Sequence, residues 1–110
     1  MKFRTDIYIA PQPTRIVTET RTLALGSCFA EQIGARLARA KFHVTVNPTG
    51  SLFYPLSIVA ALRSYRTPVC RDELHCDGGR WFHFGFHGDF AAPTADEALQ
   101  RLNAARRSGA

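Results

Sequence analysis

Between Thr22 and Leu37 a short apolar run stops at a glycine and passes at once into helical spacing, and this junction restricts the possible folds more than any other feature of the chain. Thr22-Leu23-Ala24-Leu25, closed by Gly26, reads as a buried strand over 21–25 that ends in a tight turn. From Cys28 onward Phe29, Ile33 and Leu37 recur at i, i+4 and i+8, with Ala30, Gly34 and Ala38 as small neighbours, which predicts a helix. Glu31 in its first turn and Arg39 and Lys41 in its last agree with the helix dipole. His43-Val44-Thr45-Val46 then supplies a second β-branched run. Strand, helix, strand over this length normally closes as two parallel strands with a crossover helix, so the expected class is α/β.

The rest of the chain hangs on that unit. Residues 1–20 read as an extended lead-in, because Pro11 and Pro13 exclude a regular helix. Asn47-Pro48-Thr49-Gly50 is turn chemistry, and Pro55 suits the first position of a helix running to Arg66, with Leu56, Val59, Ala60 and Leu62 or Arg63 marking its faces and Pro68 stopping it. Asp77-Gly78-Gly79 divides residues 71–90 into a hairpin, since these residues tolerate positive φ. Period-two alternation past that turn puts Phe82, Phe84 and Phe86 on one face, expected to be core, and Trp81, His83, Gly85 and His87 on the other. Thr94-Ala95-Asp96-Glu97 resembles a capping box opening a last helix over 94–107, apolar at Ala98, Leu99, Leu102 and Ala105. A chain of 110 residues has room for one core, so 1–110 is read as a single domain.

Composition narrows the functional classes. A hydrophobic fraction of 45% and a charged fraction of 21% are those of a folded globular protein. No apolar run approaches the roughly 20 residues of a membrane span, and the first residues lack the apolar core of an export signal, so no membrane association and a cytoplasmic location are expected. Three cysteines, Cys28, Cys70 and Cys76, argue against a disulfide framework. The net charge of +5 raises the question of nucleic acid, but the basic residues are dispersed: Arg36, Arg39 and Lys41 on one helix, Arg63 and Arg66 on another, Arg101, Arg106 and Arg107 at the end. No aromatic-basic motif accompanies them, so solvated faces are expected and a nucleic-acid partner is not. Cys70, His75, Cys76, His83 and His87 follow no zinc spacing, and no metal or cofactor is expected.

At Gly26 a strand's carboxyl end meets a helix's amino end, where open α/β sheets bind ligands and backbone N–H groups face negative charge. A thiol there is favoured as thiolate, which makes Cys28 a candidate nucleophile. The structural alternative is a small packed Cys28 behind Ser27 as a helix cap.

Leu25-Gly26-Ser27-Cys28-Phe29-Ala30-Glu31 is the signature string of the GSCFA family, and Asn47-Pro48-Thr49-Gly50-Ser51-Leu52-Phe53-Tyr54-Pro55-Leu56-Ser57-Ile58 is similar to that family's second block. Phe3-Arg4-Thr5 and the stretch from Trp81 to Phe90 also look like family positions, so the resemblance covers nearly the whole chain. The family in turn resembles the SGNH/GDSL hydrolases, which implies a three-layer, flavodoxin-like parallel sheet, present here in part, with the hairpin as an addition. In that superfamily the first block is Gly-Asp-Ser. The resemblance sets Gly26 on the Gly, Ser27 on the Asp and Cys28 on the nucleophile, with Ser27 the alternative attacking group. Gly50 matches the second-block glycine that donates an oxyanion-hole N–H, Asn47 stands beside it at the substrate, and His87 matches a family histidine that would serve as general base. Thr49 and Tyr54 depart from the usual Phe and Asn, and the Asp-x-x-His of the superfamily's last block is not present. The implied activity is hydrolysis or transfer of an acyl group from a small-molecule or carbohydrate ester, without a cofactor. The alternative is a non-catalytic domain that binds a small ligand or a partner. Two of about five parallel strands are legible, so the chain reads as truncated at its carboxyl end, with a sheet edge open to a partner chain.

Overall fold

In a computed structural model the chain is described over residues 3–109, and the ends of the lead-in and of the last helical stretch, Met1, Lys2 and Ala110, lie outside the described residues. β1 (Thr22–Ala24) and β2 (Val44–Val46) pair in parallel with Thr22 opposite Val44 and Ala24 opposite Val46, joined by α1 (Cys28–Arg39). The expected strand-helix-strand unit is therefore present, each strand three residues long. α1 lies close to the sheet because Gly34, its one buried residue, has no side chain: a Cβ there would run into Val46. Lys41 takes positive φ (68°) just beyond α1, where a glycine is more usual.

α2 (Pro55–Arg66) has the boundaries its prolines predict, with Pro55 in its first turn. Its buried face is Ala61, Ser64 and Tyr65, while Leu56, Val59 and Leu62 are exposed. After a 3₁₀ turn at Arg71–Glu73, β3 (His75–Asp77) and β4 (Arg80–Phe82) form the hairpin, turning through Gly78 and Gly79 at φ 58° and 78°. Both angles are positive, as the tight primed turn demands. Trp81 then pairs with Ala92 through two backbone hydrogen bonds of 2.7 and 3.1 Å.

α3 (Ala95–Arg106) starts at Thr94, whose hydroxyl accepts from Glu97 N at 3.2 Å. Glu97 does not complete the box; its carboxylate takes Arg101 at 2.7 Å, one turn on. Val69, Leu74, Phe86, Ala92, Ala95, Ala98 and Leu102 make the larger core between the hairpin region and α3, with Trp81 and Phe90 against it. Leu52, Ala61 and Tyr65 make a smaller one under α2. Arg106 ties the two, donating from Nη2 to Tyr65 O at 3.2 Å and from Nε to Ser64 O.

The alternation past the hairpin does not hold. The strand ends at Phe82, and a turn closed by Phe86 N–H on His83 O at 3.1 Å follows. His83 and Phe86 are buried and Phe84 is exposed, the reverse of the period-two expectation for the first and last of these. The cause is Gly85, whose backbone comes so near α2 that a Cβ would stand 2.7 Å from Ala61 N, a closeness no extended strand with side chains permits.

Candidate functional site

The two motif strings meet at the carboxyl end of the parallel pair. Gly26 takes φ +148°, outside the range of ordinary L residues, and its backbone is held at both ends: its N–H donates to Asn47 Oδ1 at 2.9 Å and its carbonyl accepts from Leu52 N at 2.9 Å. Asn47, itself at φ 40°, extends the β1–β2 pairing by donating from its backbone to Ala24 O at 2.9 Å. Its side-chain amide nitrogen reaches Glu31 Oε1 at 3.4 Å, and the Ser51 hydroxyl donates to the same carboxylate oxygen. One carboxylate on α1 thus clamps the second block to the first.

Within this frame Cys28 is the first residue of α1 and is exposed. Ser27 occupies the N-cap position but makes no side-chain cap bond, so its hydroxyl leaves the first-turn amides of Cys28, Phe29 and Ala30 without the partner a capping serine supplies. The first amide satisfied inside the helix is Glu31 N–H, on Ser27 O at 3.3 Å. The packed alternative for Cys28 does not fit an exposed side chain.

Asn47 and Gly50 are both beside the junction, though engaged differently from the expectation. Both ends of the Asn47 amide are spent inside the protein, and the Gly50 N–H donates to Asn47 O at 2.9 Å. What Gly50 contributes is space. At φ +85° with no side chain it lets His87 lie against it, where a Cβ would run into His87 Cβ and stand 3.4 Å from the Phe90 ring.

His87 is half-buried and fastened to the same loop, donating from its backbone to Thr49 O at 2.8 Å. The Thr49 side chain is fully buried and shares a 3.2 Å hydrogen bond with the Tyr65 hydroxyl. Burial pushes the Tyr65 phenol above its ordinary range, and the Thr49 bond works against that rise. The structure therefore joins Asn47, Gly50 and His87 to the Gly26 turn. It makes no hydrogen bond from Cys28 to His87 among the described residues.

Sequence reasoning missed Glu31, Ser51, Thr49 and Tyr65 as parts of the site. Glu31, Thr49 and Ser51 carried a signal, since all three stand inside the motif strings; Tyr65 carried none. Among the described residues no group of three or more His, Cys, Asp or Glu side chains is placed to hold a metal ion. No helix among them is long and apolar enough to cross a membrane.

A parallel strand pair whose glycine turn opens an uncapped helix on an exposed thiol defines an α/β domain whose two motif strings meet at the strand's carboxyl end. The GSCFA family model matches residues 21–109, and the chain belongs to the GSCFA family. No curated protein and no solved structure gave a match.

Proposed function

We propose that this GSCFA domain is an SGNH-like hydrolase or acyltransferase in which Cys28 attacks an ester carbonyl. The observation that carries the reading is the exposed Cys28 thiol at the first position of a helix whose amino end is left open by Ser27. Attack would place the carbonyl oxygen's negative charge beside the free amides of α1, which favour it both as donors and through the helix dipole. Cys28 is preferred to Ser27 because a thiol is the better nucleophile near neutral pH. Gly50, with its N–H on Asn47 O, enters this reading as the residue that admits His87 and shapes the loop, and Asn47 as the tie between motifs. His87 is the proton acceptor. Three unpaired cysteines suit a reducing compartment, and the reading includes a cytoplasmic site of action.

The test is turnover of a panel of small and carbohydrate esters by the whole chain. Cys28→Ala should lower the rate at least about a hundredfold, the scale expected for loss of an attacking group, with Ser27→Ala affecting it far less. Equal rates for the parent and Cys28→Ala would refute the assignment. A binding role without catalysis is the second reading, favoured by the apolar groove of about 550 Å³ between Tyr54, Pro55, Leu56, Ser57 and Phe84. It gains if no ester is turned over.

A further inference from the structure

We propose that the Asp89 carboxylate sets the tautomer of His87, keeping the proton on Nδ1 and leaving the Nε2 lone pair as the proton acceptor of the site. The inference rests on the acyl-transfer reading only for what that lone pair then does. His87 Nδ1 lies 3.2 Å from Asp89 Oδ2 and also 3.2 Å from Asp89 N. A ring nitrogen of a neutral imidazole either donates or accepts, so these two contacts exclude each other. If Nδ1 accepts from the Asp89 amide, the proton sits on Nε2 and His87 only caps the 3₁₀ turn Gly88–Phe90. If Nδ1 donates to the carboxylate, Nε2 is bare.

Two observations favour the second state. A hydrogen bond from Nδ1 to the carboxylate would be charge-assisted, and such bonds are roughly twice as strong as neutral ones, while Asp89 is an exposed residue whose amide can take water instead. Nε2 makes no hydrogen bond to the described residues, so nothing on that side of the ring opposes the choice. The residue is also well anchored for the task. Its backbone N–H is on Thr49 O, its carbonyl accepts from Phe90 N at 3.0 Å, and its Cβ rests on Gly50. A His-x-Asp turn thereby supplies locally an orienting carboxylate for an imidazole, the arrangement that fixes tautomer in nucleophilic triads.

In the reaction the proton of the attacking thiol passes to Nε2 as the S–C bond forms. The imidazolium stays paired with an ionised Asp89, and the proton then goes to the departing alkoxide as the ester C–O bond breaks. Asp89 touches neither substrate nor nucleophile and acts as a positioning residue.

Nitrogen-15 correlation spectra of the whole chain labelled at histidine, taken at mildly alkaline pH, read the tautomer directly. His83 serves as the internal reference, because its Nδ1 accepts from Gly85 N–H at 2.9 Å and so carries its proton on Nε2. His87 should show the opposite pattern, with Nδ1 protonated in the majority. Asp89→Ala and Asp89→Asn should each shift the ratio roughly fivefold toward the Nε2–H form, the scale of one exposed charge-assisted bond, and Asp89→Glu should restore part of it. An unchanged His83 signal certifies the fold of each variant. A His87 already in the Nε2–H form, or a ratio that ignores both substitutions, would overturn the proposal. Neither outcome depends on ester turnover, so this proposal and the acyl-transfer reading fail separately.

Discussion

Asn47 ties the two motif strings together at the candidate site. Its Oδ1 receives the Gly26 N–H, its Nδ2 reaches Glu31, and its own backbone takes positive φ with little penalty because its short polar side chain tolerates that region. Asn47→Ala leaves the part-buried Gly26 amide without its partner and should destabilise the domain by about 1–2 kcal/mol in denaturant titration. An unchanged midpoint would mean that the tie is ornamental. Cys28, Ser27, Asn47, Gly50 and His87 were all singled out as candidates from the sequence because each stands in or beside a motif string. Tyr65 and Asp89 were not, for different reasons. Tyr65 reaches Thr49 across 16 positions of chain, a contact that no local pattern encodes. Asp89 sits two residues from His87, yet its relevance depends on a turn geometry that composition leaves open.

The elements read best were those with punctuation. α2 begins at Pro55 and ends short of Pro68, and the hairpin turns where two glycines permit positive φ at successive positions. The Phe82 to His87 run was read least well, because alternation reports a strand only while the backbone stays extended, and Gly85 draws it against α2 instead. The buried His83 that results has a titration consequence. Burial pushes its imidazole below the ordinary value of 6.5; the charge of Glu73 opposes this and His75 adds to it. With the folded value depressed, the unfolded chain binds the proton more readily. Stability should therefore be full above about pH 6.5 and fall as the pH drops from there toward the folded value. Below that region protonation would also remove the acceptor for Gly85 N–H. Denaturant midpoints measured across this window should decline with acid in the parent and decline less in His83→Gln. A parallel decline in both would remove His83 from the account.

Over the whole molecule the chain is looser than its length requires. Its Cα radius of gyration is 17.6 Å, against about 13 Å for a compact domain of this size, and the exposed lead-in from Phe3 accounts for part of the excess. β1 and β2 pair only with each other among the described residues, and Phe29, Ile33, Phe53, Tyr54, Leu56 and Phe84 stay exposed. Sequence periodicity set Phe29 and Ile33 on one helical stripe and Leu56 on a face of α2, and it could not show whether they are covered, because an apolar stripe reads the same in either case. Among the described residues both strands keep an open edge, and Cys28 is exposed beside them. On the acyl-transfer reading Cys28, by its place at the head of α1, differs in kind from the two other exposed thiols. The most direct measurement is to treat the whole chain with an activated ester, quench in acid, and locate the acyl group by peptide mass. Acylation is expected at Cys28, with Cys70 and Cys76 bare and the label released to water on chase. Label spread over all three cysteines, or found on Ser27, would contradict it.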